Sequence, residues 1–537
     1  MNEINHTRIC VPVCADTVAE LAKAAARAAA IGDLIEFRLD CLAGDELADF
    51  LRDLPALLKA PARPLILTLR PAAQGGRREL DDAARARFWT QFFKRELPAN
   101  IYADIELDVA RFFLEREAET RVSLDWQRVI CSHHDFTGAA SGASKIYEQL
   151  RATPARCLKI AVRARDVTDC LPLFHLLDRA QREGRELIAV AMGEAGLPTR
   201  ILGPSRGARL TYGALDEAHR VAPGQITASA LRDLYRLQRL DRRAIVTGLV
   251  GSSIAHSVSP QMHNAAFEAL DLSAVYIPFE TQELRAFVTR MVHPRTREMD
   301  WNLRGLSVTA PHKEMIIEHL DSIDSAAEAI GAVNTVIVDE AGLRGFNTDV
   351  TAFIETLRER AGALVGLRCA VIGAGGAARG VLWGLRQEGA LVTLFARDAV
   401  KAAPLAEKFG AAFSPLAEAG GDGFDVVINT TPLGTRGQLE NETPVTARQL
   451  RGARLAYDLV YNPSETRFLR EALEAGCDTI GGLPMLVAQA AEQFQLWTGM
   501  KAPVELMSRA AREAIRSQLS TVSQQHSAQR DTSLAES

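Results

Sequence analysis

Two lysines in this 537-residue chain stand among residues that would give an amine chemistry to do. Lys313 closes the stretch GLSVTAPHK at 305–313. Asn334, Thr348 and Asp349 follow, just upstream of a GAGGAA turn at 373–378. A lysine and an aspartate supplied by separate segments can move an alcohol proton during hydride transfer. A glycine turn between a strand and a helix lets the backbone approach a pyrophosphate at the helix N-terminus. The other lysine, Lys159, interrupts the apolar run LKIAV at 158–162. Burial penalises a charged lysine and favours the neutral amine that attack on a ketone requires. His134 can then shift a proton on the carbon alpha to the imine, and arginines supply a clamp for a carboxylate. The chemistry implied is imine-assisted elimination or carbon–carbon cleavage on a small carboxylated ketone in one half. In the other half it is reduction of a small polyhydroxylated substrate against a nicotinamide.

The elements that must carry the first set are short apolar segments at 7–13, 34–39, 64–69, 101–107, 126–131, 157–162, 187–191 and 208–212, separated by helical stretches such as 17–31 and 167–183. Strand alternating with helix implies parallel strands with right-handed crossovers. Eight units by residue 240 predict a closed (β/α)8 TIM barrel, with an open doubly wound sheet as the alternative. Polar residues break the strands where barrel chemistry is built, at their C-terminal ends. Glu36 and Arg38 share one face by their i, i+2 spacing. Glu106 and Lys159 lie within strands, His134 just past the end of another, and Arg70 at the close of the third. Arg200 and Gln225 follow the last two strands. Singly, Lys159 also reads as a solvated strand residue and Glu36 with Arg38 as a structural ion pair.

The second half opens with IVTGLVG from Ile245, then a turn with Ser257 and Ser259 before a helix starting near Pro260. Such serines are either caps or donors to a carboxylate at a positive helix end. LRCAVIG at 367–373 precedes the glycine turn, and LVTLFA at 391–396 ends in Arg397. An arginine there suits a 2′-phosphate and NADP, whereas Asp398 beside it suits a ribose diol and NAD.

The net charge of −5 and ordinary hydrophobic content of 47% give no reason to expect nucleic acid or membrane as partner. Eight scattered cysteines without a CxxC pair read as buried thiols in a reducing compartment rather than a metal or disulfide framework. The expectation is a cytoplasmic protein, monomer or homodimer, without metal.

EFRLD at 36–40, SHHDF at 132–136, LKIAV at 158–162 and APGQ at 222–225 resemble type I 3-dehydroquinate dehydratase over about residues 7–240. The resemblance implies Lys159 as the Schiff-base residue and His134 as the general acid/base, with Glu36, Arg38, Arg70, Arg200 and Gln225 holding substrate. The sequence departs from that family at Gln74, where a glutamate is usual, and at Val221, where a serine is usual; the expectation is a working but slower dehydratase. GLSVTAPHK, GAGGAARG, NTTPLGT at 429–435, DLVYNP at 458–463 and GLPMLVAQAAEQF at 482–494 resemble shikimate dehydrogenase from about 245 to 515. That resemblance implies Lys313 and Asp349 as the catalytic pair and Ser257, Ser259, Thr309, Asn334, Tyr461 and Gln489 as shikimate ligands. Gly373, Ala374, Gly375, Gly376, Ala377, Ala396, Arg397, Lys401, Thr430, Leu459 and Gly482 would border NADP(H). Val350, where that family commonly has glycine, is expected to narrow the cleft slightly.

The implied organisation is a barrel over 1–240, a shikimate-binding α/β domain over 245–348 plus 489–516, a Rossmann-type NADP domain over 349–488, and a disordered tail over 517–537. The implied function is consecutive: dehydration of 3-dehydroquinate to 3-dehydroshikimate, then NADPH-dependent reduction to shikimate. The alternatives are a catabolic quinate/shikimate dehydrogenase using NAD, and a non-catalytic metabolite-binding regulator.

Overall fold

The structure, a computed structural model, describes residues 8–57, 63–137, 140–252 and 254–518. Residues 517 and 518 continue a helix over 504–518, and the rest of the expected tail lies outside the described residues. The chain forms two compact units. One runs through Val246 and takes in Ser273–Val292 and Thr296–Asn302; the other holds Thr247–Leu272, His293–Arg295 and Leu303 onward.

The first unit contains the expected barrel. Its strands are β1 (Ile9–Val13), β2 (Leu34–Arg38), β3 (Leu65–Thr68), β4 (Ile101–Glu106), β5 (Val129–Asp135), β6 (Cys157–Arg163), β7 (Glu186–Met192) and β8 (Thr211–Tyr212). They neighbour one another in chain order, with β8 returning to β1. Between β7 and β8 the ring closes through a single parallel bridge from Leu187 to Ala208, where the Arg209 N–H donates to the Leu187 carbonyl at 2.9 Å. The first helix, Val18–Ile31, starts on Thr17, whose side chain accepts from the Glu20 N–H, and buries Leu21, Ala25 and Ala28. That spacing is one helical face laid on the barrel wall.

Two expectations need correction. The fifth strand begins at Val129 because Asp125 accepts from the Gln127 N–H and turns Trp126–Arg128 into a 3-10 helix. The strand then runs to Asp135, so His134 lies inside it rather than past its end. The cysteines are not all thiols: Cys14 and Cys41 form a disulfide with Cα atoms 5.5 Å apart, and the other six are buried and free. Their sequence separation of 27 hides the pairing; adjacent parallel strands bring residues just past their C-terminal ends together.

Two further sheets follow. The first has six strands in the order β10-β9-β11-β13-β14-β12. These are β9 (Ile245–Gly251), β10 (Ala274–Glu280), β11 (Asn302–Val308), β12 (Ser322–Ile323), β13 (Thr335–Asp339) and β14 (Gly342–Phe346). It is mixed, with β13 antiparallel to both β11 and β14. The second is wholly parallel, with β15 (Arg368–Ile372), β16 (Leu391–Ala396), β17 (Ala412–Pro415), β18 (Val426–Asn429), β19 (Leu455–Asp458) and β20 (Asp478–Ile480). Its order, β17-β16-β15-β18-β19-β20, is the 3-2-1-4-5-6 arrangement of a Rossmann sheet. The strand order reverses between β15 and β18, which run parallel, so a crevice opens at their C-terminal ends. Val350 does not line that crevice. It is buried in the core, and added Cβ atoms at Gly380 and Gly384 would meet its methyls at 3.1 and 3.0 Å. Among the described residues no helix is long and apolar enough to cross a membrane, and no cluster of side chains could hold a metal ion.

The loop after β3 is packed against its own strand: a Cβ on Gly76 would lie 1.9 Å from the Arg70 carbonyl oxygen. Gly76→Ala should therefore destabilise the barrel by about 1–3 kcal/mol, as overpacking does. Gly142→Ala, whose Cβ meets nothing within 4 Å, should leave it unchanged. Thermal unfolding of the two variants checks this.

Candidate active sites

Inward positions of the barrel strands alternate with outward ones, so Glu36 and Arg38 share the interior with Lys159 and His134. In the β5–β6 ladder Ser132 pairs with Lys159 and His134 with Ala161. Seven of the eight polar barrel residues singled out in the sequence (Glu36, Arg38, Arg70, His134, Lys159, Arg200 and Gln225) line one cavity, together with Gln74, Tyr212 and Val221; the eighth, Glu106, is not among the lining residues and accepts from Arg70. Lys159 is 5% exposed. Its Nζ donates to Asp104 at 2.7 Å and to the Tyr212 hydroxyl at 2.9 Å, with Glu36 at 3.6 Å. The amine thus sits in an ion-paired nest rather than an apolar pocket.

The arginines differ sharply in how far they are satisfied. Arg70 donates to Asp104, Glu106 and Ser132 at 2.8–2.9 Å. Arg38 forms a two-pronged pair with Asp40 at 2.9 and 2.8 Å. Arg200, 2% exposed, donates only to the Pro223 carbonyl at 3.2 Å, and its Nε has no partner among the described residues. Burial pushes its pKa down to about 10, partly offset by Glu194. A buried guanidinium without a carboxylate partner is a site for an anion.

His134 lines the same cavity and is half-buried. Burial, with Arg70 and Lys159 nearby, holds its pKa well below the usual imidazole range despite Asp104, which keeps the ring neutral. Its Nδ1 has no partner among the described residues. Gln74 reaches this histidine only through the main chain, accepting from the His134 N–H at 3.0 Å. The Val221 N–H donates to the Gln225 side chain at 3.0 Å, which ties the closing loop to itself. Asp104, fully buried, was missed by the sequence reading, although it shares a strand face with Glu106 by the same i, i+2 rule that found Glu36 and Arg38. Arg70 and Lys159 hold its carboxyl well below the usual range against the cost of burial.

In the second unit Lys313 and Asp349 come together from the segment after β11 and the first turn of the helix Thr348–Ala361. The Nζ–Oδ2 distance is 2.6 Å. Asn334 donates to Asp349 at 2.8 Å and to the Thr348 hydroxyl at 3.0 Å, while its own carbonyl accepts from the Thr348 N–H at 2.8 Å. Gln493, also missed by the sequence reading, braces this group: it donates to the Thr335 hydroxyl at 2.9 Å and accepts from Ser307 at 2.7 Å. One helical turn before it stands Gln489, tied to the Leu486 carbonyl. Ser257 accepts from the Ser259 N–H at 3.2 Å without capping the helix Ser259–Ala269, whose N-cap is Val258, and also bonds Tyr461, whose phenol burial pushes up. The Thr309 N–H donates to Val250 at 3.0 Å.

The residues expected around the nucleotide fit one. Gly373 has φ of +111°, and a Cβ there would meet the Thr430 hydroxyl at 2.7 Å across the crevice; Thr430 itself donates to the Ile372 carbonyl at 2.8 Å. Gly482 is packed on the Leu459 carbonyl, 2.3 Å from an added Cβ. Around Gly375 and Gly376, by contrast, an added Cβ would meet nothing within 4 Å. No side chain caps the helix Gly376–Gln387 that begins there, so its N–H groups face open space fit for a pyrophosphate. At the end of β16, after Ala396, Arg397 and Asp398 are differently engaged. Asp398 accepts from the Val400 and Lys401 N–H groups at 3.1 and 3.3 Å and so is engaged as a helix N-cap. Arg397 is exposed.

Two outcomes follow from this geometry. Restoring the carboxylate with Gln74→Glu should raise the pKa of His134 and move the acid limb of the dehydration pH–rate profile upward, with kcat a few-fold higher. Because folding holds His134 neutral, the unfolded chain takes up a proton near pH 6.5 that the native state refuses. Barrel stability should therefore be intact above that pH and fall as pH drops through 6 towards 5. Chemical denaturation across that range, with wild type against His134→Gln, measures the slope and its loss.

Comparison with known proteins agrees with both halves. The family model for type I 3-dehydroquinase matches residues 9–242. Those for the shikimate dehydrogenase substrate binding domain and the shikimate 5'-dehydrogenase C-terminal domain match 249–336 and 482–512. A chloroplastic bifunctional 3-dehydroquinate dehydratase/shikimate dehydrogenase of Arabidopsis thaliana is 34% identical over 531 residues, covering 94% of this chain and 84% of that protein. The shikimate dehydrogenase (NADP(+)) of Methanocella arvoryzae is 42% identical over 278 residues, 50% of this chain and 99% of its own. A crystal structure of the Thermus thermophilus shikimate 5-dehydrogenase in complex with NADP(H) and shikimate is 38% identical, covers 50% of this chain and 99% of that one, and has a TM-score of 0.45. With a relative of both activities aligned along nearly its whole length, the chain belongs to the family of bifunctional 3-dehydroquinate dehydratase/shikimate dehydrogenases.

Proposed function

We propose that Lys159 and His134 dehydrate 3-dehydroquinate in the barrel and that Lys313 and Asp349 serve the reduction of the product to shikimate. The observation that carries the reading is the single barrel cavity in which a buried lysine, a neutral histidine and an unpaired arginine meet. Once deprotonated, Lys159 attacks the substrate ketone and forms an iminium. His134, neutral by burial, takes the proton from the adjacent carbon, and the hydroxyl beta to the iminium leaves as water. Arg200, lacking a carboxylate of its own, takes that of the substrate. Arg70 and Arg38 are already committed to Asp104, Glu106 and Asp40, so their part is to shape the site and offer spare N–H groups to hydroxyls.

In the dehydrogenase NADPH supplies the hydride. Lys313, paired with Asp349, hands a proton to the oxygen of the ketone being reduced, and Asn334 fixes the aspartate for that exchange. Ser257, Ser259, Thr309, Tyr461 and Gln489 are assigned to the ring hydroxyls and carboxylate. Arg397, with Lys401 beside it, is assigned to the 2′-phosphate. The engagement of Asp398 as a cap removes the feature that favoured NAD and quinate. The domain limits proposed are 1–240 for the dehydratase, 245–348 with 489–516 for the substrate domain, and 349–488 for the nucleotide domain.

Borohydride added to enzyme and 3-dehydroquinate should leave a stable mass adduct on the peptide carrying Lys159, and none in Lys159→Ala. Its absence from wild type would refute the barrel mechanism. Arg397→Ala should raise KM for NADPH at least ~10-fold, the scale of one charge-assisted contact, with little change for NADH. Asp398→Ala should cost about 1 kcal/mol as a lost cap without altering that preference. Steady-state kinetics with each cofactor separates the two.

A further inference from the structure

The Nζ of Lys159 has a neighbour that neither strand patterning nor the family resemblance singled out. Tyr212, on the closing strand β8, is 6% exposed and is held opposite Cys10 by the β1–β8 ladder. Its hydroxyl lies 2.9 Å from Nζ, and its ring stands under the same atom, 4.3 Å to the centroid. The other groups on this nitrogen, Asp104 and Glu36, are carboxylates, which when ionised only accept. A phenol both accepts and donates.

The geometry points to Tyr212 as a further catalytic residue of the dehydratase, the proton donor and acceptor for making and breaking the imine on Lys159. This rests on the reading of Lys159 as the imine-forming amine. In the carbinolamine, the oxygen that must leave is two bonds from the nitrogen, so a hydroxyl in contact with that nitrogen is within reach of it. The C–O bond breaks and the nitrogen lone pair forms the C=N bond. The departing hydroxide takes the phenol proton and leaves as water, and the phenolate remains beside the positive iminium. On release of product the same phenolate takes a proton from the water that adds to the iminium carbon, and the phenol is restored. No proton or electron is gained or lost over the cycle. Burial, with Glu36, Cys10 and Asp104 facing the phenol against Arg70, pushes its ionisation well up; the phenol therefore carries its proton through the neutral range while accepting from Lys159.

Tyr212→Phe keeps the ring and removes only the hydroxyl. In a single turnover of full-length enzyme with 3-dehydroquinate, quenched with borohydride at set times, the Lys159 adduct should form about 10²-fold more slowly than in wild type, the scale of one general acid. Substrate Kd should stay within about two-fold, since no binding group is lost. Incorporation of ¹⁸O from labelled water into the substrate ketone, which reports imine formation and reversal, should slow in parallel. An adduct formed at the wild-type rate would overturn the proposal. A wild-type enzyme that gives no adduct would instead remove the reading of Lys159 beneath it. A second variant retains the hydroxyl and the fold: a fluorinated tyrosine placed at 212 lowers the phenol pKa and should draw the basic limb of the imine-formation rate to lower pH. A limb that does not move contradicts the assignment.

Discussion

The barrel depends on one electrostatic constraint: every charge placed in its interior must be met by another, because a buried ion left alone costs several kcal/mol. Arg70 is the hub of that balance. It joins Asp104 and Glu106, Asp104 in turn holds Lys159, and Arg85 takes the far side of Glu106. The network fixes the position of Nζ to within a hydrogen bond and fills much of a space that an ordinary barrel packs with aliphatic side chains. Stability and chemistry are therefore tied together, since removing any partner leaves a charge unmatched and also moves the lysine.

Against that background Arg200 is the exception. It is as buried as Arg70 yet forms no ion pair with a carboxylate among the described residues, and burial, only partly offset by Glu194, pushes its pKa down to about 10. The mismatch is relieved when an anionic ligand arrives, so binding and charge balance become one event. The dehydrogenase half follows a different logic. Its lysine–aspartate pair is only partly buried, and order comes from the amide groups of Asn334 and Gln493, which fix the aspartate and the adjoining strands through hydrogen bonds rather than ion pairs.

Most of the fold was legible because parallel strands covered on both faces read as apolar runs between amphipathic helices. The misplaced fifth strand shows the limit: Asp125 captures the Gln127 N–H and draws Trp126–Arg128 into a turn, a local hydrogen bond that periodicity does not register. The site was legible wherever a charged residue broke an apolar strand. Asp104 was legible in principle, since it lies two residues before Glu106 and shares its strand face. Tyr212 was not, since an aromatic residue on a barrel strand reads as core packing. The sequence places Arg397 and Asp398 side by side without ranking them, and the capping contacts of Asp398 are visible only in the fold. The Cys14–Cys41 pairing likewise needs the neighbouring strands before it can be seen.

The glycines make a similar contrast between packing and function. Gly373 and Gly482 are required by neighbours already in contact, whereas a Cβ on Gly375 or Gly376 would meet nothing within 4 Å. One chain converts the same carbocycle twice, in separate sites. The most direct measurement supplies purified full-length protein with 3-dehydroquinate and NADPH and follows cofactor absorbance and shikimate together. Wild type should show stoichiometric oxidation and shikimate release; Lys159→Ala should give no reaction from 3-dehydroquinate but normal reduction of added 3-dehydroshikimate. Undiminished turnover of 3-dehydroquinate in Lys159→Ala, or no reduction of 3-dehydroshikimate by wild type, would contradict this.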